Sequence, residues 1–324
     1  MVLCTFRNQQ IIHERRIYDF SALALQLAGE SGAAFDSSRL YKATLDRALL
    51  AHDISIASAI QQALLPPARF AGTNFEIAAA SVPCRAIGGD FVDYFELPAG
   101  AFGFALGDVA GKGPPAALLA GVLQGILAGH APGGNTPAET LTHVNQVLLR
   151  RAIEGRFATV AYGALSCGGQ LTYCNAGHIP PFLIRQQGQL RFFKGGLILG
   201  AFRHATFEEE TVQLQSGDLV VAVSDGITEA TSRDGGEFGE HRLLACVEAD
   251  RNLSPAGYLD LIFESVREFT SEVPQQDDLT ALVLRYTGPL RIASGASLRV
   301  SWCDSTDAWR HTDCSREGAA KRTA

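Results

Sequence analysis

The spacing of apolar residues changes character at Pro66 and Pro67. Before the prolines it is helical. Residues 20–35 carry Leu23, Leu27 and Ala34 near one stripe. Residues 38–65 carry Leu45, Leu49, Ile56, Ile60 and Ala63 at alternating steps of three and four, which predicts a long helix with a narrow apolar seam. Such a seam suits pairing with a second copy or packing on the helix's own domain, and the pattern alone leaves both open. The two prolines end the helix, because proline lacks an N–H donor and restricts the residue before it.

Beyond Pro67 the period shortens. Residues 75–82, 91–97 and 101–109 read as strands, the last with Phe102, Phe104 and Leu106 on one face and Asp108 next in register. Two helices follow, one opening on Pro114 and Pro115, the other on Thr136 with Glu139 in capping-box spacing. Strands are predicted again at 157–165, 170–175, 181–185, 207–214 and 218–224, then a helix at 254–270 and a strand at 279–286. Strands, a helix pair and more strands form an α+β order, not the alternation of a doubly wound parallel sheet. Residues 288–324 lack periodicity and are expected to form a poorly ordered tail.

Composition narrows the classes. The 324 residues are 47% hydrophobic and 19% charged, which is globular, and the net charge of -7 argues against nucleic acid as a partner. The seven cysteines show no C-x-x-C pair, so they read as small buried residues in a reducing compartment. No N-terminal signal pattern appears, and the most apolar stretch, 116–128, is too short to span a bilayer. The chain is therefore expected to be soluble and cytoplasmic, with no membrane partner.

Candidate chemistry lies in acids at strand borders. Asp108 ends an apolar strand in GFALGDVAGKG, where Gly111 and Gly113 allow a tight turn that lets the Val109 carbonyl face a metal. Asp225 ends another in LVVAVSDGITEA, Asp277 and Asp278 precede one in QQDDLTALVL, and in IGGDFVDYF Asp90 follows two glycines with Asp93 three residues on. Any one of these alone reads as a turn residue. Together they are an oxygen-rich set suited to hard divalent cations, which activate water and neutralise phosphoryl oxygens. Arg85 is the candidate cation for a substrate phosphate. GDVAGKG lacks P-loop spacing, Ser224 lacks a nucleophile elbow, and His178 in NAGHIPP reads more readily as a turn-structuring residue than as a general acid.

From about residue 53 to 286 the chain resembles the SpoIIE/RsbU-type branch of the metal-dependent (PPM, type 2C) serine/threonine phosphatases. The resemblance rests on AIQQALLPP, IGGDFVDYFELP, FGFALGDVAGKGPPAALLAG, LTYCNAGHIPPFLI, GDLVVAVSDGITEA and QQDDLTALVL. It implies a PPM-type β-sandwich flanked by helix pairs and preceded by a long N-terminal linker helix. Residues 1–37 would be the remnant of a GAF-like sensor domain, 38–66 the linker helix and 67–287 the phosphatase domain. It further implies two Mn2+ or Mg2+ ions with Asp108 as bridging ligand and Val109 contributing its carbonyl. Asp225 and Asp277 would be companion ligands, with Asp277 ranked above Asp278, and Asp90 would support the metals through water. A water activated by both metals would attack the phosphate. The helix pair at about 114–153 would be a regulatory switch. The substrate would be a phosphorylated STAS-type anti-sigma-factor antagonist, with homodimerisation through the N-terminal helix. The alternatives are a catalytically weak partner-binding module of the same fold and a binuclear metal esterase acting on small phosphoesters or nucleotides.

Overall fold

The computed structural model describes residues 2–7, 10–16, 32–151, 156–185, 190–271 and 273–289. An antiparallel pair, β1 (Val2–Arg7) and β2 (Gln10–Arg16), opens the chain. The first helix, α1, runs unbroken over Gly32–Leu64, so the expected boundary between 37 and 38 falls inside it. Most of the helix predicted at 20–35 lies outside the described residues.

Two antiparallel sheets follow. One has six strands in the order β10-β9-β12-β13-β4-β3, formed by Leu190–Phe192, Phe182–Ile184, Leu219–Val223, Leu279–Tyr286, Phe75–Val82 and Arg69–Ala71. The other has five strands in the order β11-β8-β7-β6-β5, formed by Glu209–Gln213, Gln170–Ala176, Ala158–Leu165, Phe102–Val109 and Phe91–Glu96. Because side chains alternate along a strand, each sheet has two apolar faces to cover. The inner faces meet through Phe104, Leu106, Tyr173, Val220, Leu282 and Leu284.

Outside the five-stranded sheet lie α2 (Pro114–His130) and α3 (Pro137–Arg151), packed through Leu119, Leu123, Leu127, Leu141 and Val144. Outside the six-stranded sheet lie α5 (Gly239–Ala249) and α6 (Pro255–Thr270), packed through Leu243, Val247, Leu259 and Ile262. A single turn, α4 (Asp225–Thr228), precedes them. The result is the expected α+β sandwich between helix pairs.

Local signals set the helix ends. The Thr136 N–H donates to Glu139 Oε2 (2.9 Å) and the Glu139 N–H to Thr136 Oγ1 (3.3 Å), the predicted capping box. Ser254 Oγ accepts from the Gly257 N–H at the start of α6. Helix α2 is long and apolar enough by composition to cross a membrane, but Ala116, Leu119, Ala120, Leu123 and Leu127 are buried against the sheet. The seam of α1 meets a different fate. Leu45, Leu49, Ile56 and Ile60 are all exposed. Only the last turns of α1 reach the sandwich, where Gln124 Nε2 of α2 donates to the Leu64 carbonyl.

Candidate metal centre

The alternation that fills the sandwich also gathers the acids. In β6, Phe102, Phe104 and Leu106 point into the core, so Asp108, two residues on, faces the inter-sheet space at its rim. The same parity carries from Leu282 in β13 back to Thr280 and Asp278, and from Ala222 in β12 on to Ser224. Asp90 enters beside Val92 of β5 and is buried. The rim brings Asp90, Asp108, Asp225, Asp277 and Asp278 together, and each of the first three feels another carboxylate of this set.

Their electrostatics follow from that crowding. Burial, then Asp225 and Asp277, push Asp108 up to about 6. Burial and Asp277 raise Asp225. Burial and the neighbouring Asp108 push Asp90 well above the usual carboxylate range, against the hydroxyls of Thr280 and Ser224, which lower it. Asp90 Oδ2 is buried without a hydrogen-bond partner. Asp278 is satisfied differently: Oδ1 accepts the Cys84 N–H (2.7 Å), and Oδ2 accepts those of Gly89 (2.7 Å) and Asp90 (3.4 Å). It staples the loop between β4 and β5 to the start of β13. Asp277 is half-buried and pairs with Lys112 Nζ at 2.8 Å, while the same ammonium donates to the Gln276 carbonyl at 2.5 Å.

The backbone makes room for a ligand. A Cβ on Gly89 would lie 2.8 Å from the Val109 carbonyl oxygen and 3.3 Å from Asp108 Oδ1, so only glycine leaves that cradle open. Gly111 and Gly113 adopt the positive φ expected of the turn after Asp108. An all-oxygen donor set, mutual repulsion and an orphaned buried carboxylate oxygen fit hard divalent cations. Cys84 also reaches this rim, within 4.8 Å of the Asp277 and Asp278 oxygens, with its thiol raised by burial and Asp278.

The other candidates sit elsewhere or do other work. Asp93 is half-buried in β5, accepts the Tyr94 N–H and feels Gln124 of α2, so it faces the helix layer and not the rim. Arg85 is exposed beside Cys84. His178 is buried and pushed down to about 4 by burial, which suits the turn-structuring role. Not every cysteine is buried: Cys174 is, Cys84 and Cys246 are half-buried, and Cys167 is exposed, where its thiol donates to the carbonyls of Ala99 and Gly100.

Sequence reasoning missed four contributors. Lys112 bonds across 164 residues of chain and leaves no local trace. Gln61 of α1 donates to the Gly88 carbonyl (2.8 Å) and accepts the Gly88 N–H (3.1 Å), so the linker helix touches the loop that carries Asp90. Cys84 gave no local sign of its place at the rim. Thr280 was legible, since it lies two residues after Asp278 on the same face.

A sandwich of two sheets between helix pairs, with an aspartate-lined rim, defines the PPM class of metal-dependent protein phosphatases. The family model described as Stage II sporulation protein E (SpoIIE) matches residues 98–287. Phosphoserine phosphatase RsbU of Bacillus subtilis is 29% identical over 237 residues, 72% of this chain and 70% of that protein. The SiaA-PP2C domain of Pseudomonas aeruginosa superposes with a TM-score of 0.65 at 21% identity, covering 75% of this chain and 98% of that one. The RsbU and RsbW domains of Rv1364c from Mycobacterium tuberculosis give a TM-score of 0.56 at 25% identity, over 67% of this chain and 61% of that one. The chain belongs to the SpoIIE family, and it is a serine/threonine protein phosphatase of the RsbU type.

Proposed function

We propose that the rim aspartates hold two divalent cations, Mn2+ or Mg2+, and that the protein removes phosphate from a phosphorylated STAS-type anti-sigma-factor antagonist. The observation that carries the reading is the convergence of five carboxylates, with Asp90, Asp108 and Asp225 all raised first by burial and then by a neighbouring carboxylate of the set. Added positive charge relieves that crowding. Asp108, which matches the family's bridging ligand and is crowded by Asp225 and Asp277, would hold both cations. Asp225 and Asp277 are its companions, the Val109 carbonyl completes the cradle, and Asp90 supports from behind. Asp278 is the staple that fixes the loop, and it ranks below Asp277 because both its oxygens already accept main-chain N–H groups.

When bound, the cations supply a nucleophilic water at neutral pH and neutralise the phosphoryl oxygens. The chain's own groups do the rest. Lys112 restrains Asp277 and lowers Asp225, and Arg85 at the exposed lip receives the substrate phosphate. A cleft of about 380 Å³ lined by Lys112, Gly226, Glu229, Arg267 and Asp277 gives room for the polypeptide around the phosphoserine.

Release of phosphate from a phosphoserine STAS protein, with and without Mn2+, tests this reading. Metal-dependent release is expected, with Arg85→Ala raising KM. Clear preference for a nucleotide over the phosphoprotein would overturn it. A pair of chains joined through α1 belongs to the same proposal, supported by the exposed seam of Leu45, Leu49, Ile56 and Ile60. Deleting residues 1–65 should then give a monomer by light scattering, whereas a truncated dimer would place the contact elsewhere.

A further inference from the structure

His178 follows β8 in a turn closed by Asn175, whose Oδ1 accepts the His178 N–H (2.8 Å) and whose Nδ2 donates to the His178 carbonyl (2.9 Å). The residue is 4% exposed, and its ring has two polar neighbours. Nε2 lies 3.1 Å from the Val223 carbonyl oxygen, and Nδ1 lies 2.9 Å from Thr159 Oγ1. A carbonyl oxygen only accepts, so Nε2 carries the proton. The neutral ring then accepts the Thr159 hydroxyl proton at Nδ1. Both hydrogen bonds are satisfied, and the tautomer is fixed.

The two partners belong to different sheets. Thr159 in β7 is the direct cross-strand neighbour of Asp108 in β6. Val223 is the last residue of β12, two positions before Asp225. The imidazole is therefore a polar strut across the sandwich, joining the strand beside Asp108 to the strand that delivers Asp225. Apolar side chains dominate the inter-sheet contact elsewhere, and such contacts do not fix a spacing as a pair of directional hydrogen bonds does.

We infer that His178 is a positioning residue of the metal centre: through Thr159 and Val223 it sets the separation of Asp108 from Asp225. The inference rests on the reading of those aspartates as metal ligands. Groups that bond a metal ligand directly are worth roughly 10–100-fold in affinity, and His178 acts one step further out, so the low end of that range applies. Loss of the strut should therefore weaken metal binding while leaving the substrate surface alone.

The test is calorimetric titration of the full chain with Mn2+, alongside the electron paramagnetic resonance signal of the coupled ion pair. The chains compared are wild type, His178→Gln, Thr159→Val and Thr159→Ser. Wild type should bind two ions and give a coupled spectrum. His178→Gln and Thr159→Val should bind about 10-fold more weakly and lose the coupling, with KM for phosphoprotein at saturating Mn2+ unchanged. Thr159→Ser, which keeps the hydroxyl, should restore both. If wild type binds no Mn2+, the metal reading itself fails. If wild type binds and Thr159→Val binds equally with an unaltered spectrum, the strut is overturned while the metal reading stands. Thr159→Val is nearly isosteric, so it decides the matter even where His178→Gln does not fold.

Discussion

Strand β12 starts beside one buried aspartate and ends among several, and the two neighbourhoods are built on opposite terms. Asp218, just before the strand, is fully buried and meets Arg185 Nη1 at 2.5 Å, while its Oδ2 also accepts the Gln215 N–H (2.7 Å). At the other end Asp90, Asp108 and Asp225 face more carboxylates, and Lys112 is engaged with Asp277. The first arrangement neutralises a buried charge with a side chain of the same fold, although Asp218 Oδ1 is left without a hydrogen-bond partner. The second leaves negative charge to be matched from outside. Burial of an aspartate is thus common to both ends, and the company it keeps separates a structural acid from a functional one.

Substitutions at the two ends should separate accordingly. The largest effect is expected for Asp108→Ala, a loss of roughly a thousandfold or more in Mn2+-dependent turnover, with no fall in the melting temperature of the metal-free protein. Near-wild-type rates at saturating Mn2+ would break the comparison at its functional end. Arg185→Ala should do the reverse: about 3 kcal/mol lost in urea unfolding, with turnover per folded molecule preserved. A loss below about 1 kcal/mol would mean that Asp218 does not need its partner.

Acidity sharpens the contrast further. Asp108 is pushed up to about 6 from 3.8, so its ionisation opposes folding, and the metal-free protein gains stability from it as pH falls from 7 towards 4. His178 is pushed down to about 4 from 6.5, so its contribution is complete above 6.5 and is lost as pH falls towards 4. Each is worth roughly 3 kcal/mol over its full span, so in chelator these two offset, and the raised Asp90 and Asp225 tip the balance towards stability on acidification. With saturating Mn2+ the carboxylate gain disappears, and stability should decline on acidification. Urea titrations at pH 7, 6 and 5 with and without metal check this; an equally steep decline in chelator would remove Asp108 from the account. The smallest effect is expected for Lys112→Met, within about 0.5 kcal/mol in stability, because the pair it breaks is solvent-screened.

Much of this was legible in the chain before its structure, wherever a feature was local. Strand β13 and the run from Phe102 to Asp108 follow from alternation, and the same parity put Asp108 at the rim. The ends of α3 and α6 follow from their caps. What escaped was decided by partners distant in sequence. Strands β3 and β10 are three residues long and are defined by pairing with β4 and β9. Helix α5 is short and carries only Leu243 and Val247 as its buried pair. The β1–β2 pair was read as no element at all. In the site, Asp93 misled because a pleat turns residues three apart to opposite faces. Lys112 and Cys84 meet Asp277 at the rim, and Gln61 of α1 meets the Gly88 loop, only through contacts distant in sequence.

All five residues of β12 are buried, because one face fills the sandwich and the other lies under α5 and α6. The strand that delivers Asp225 therefore has no neutral position: each of Leu219, Val220, Val221, Ala222 and Val223 is open only to apolar residues of similar volume. The outward residues of α1, such as Leu40 and Leu50, carry no such restriction from the sandwich. Within one chain, then, the freedom to accumulate substitutions is steeply graded. It is smallest along the strand behind the chemistry and widest along the helix that leads into it.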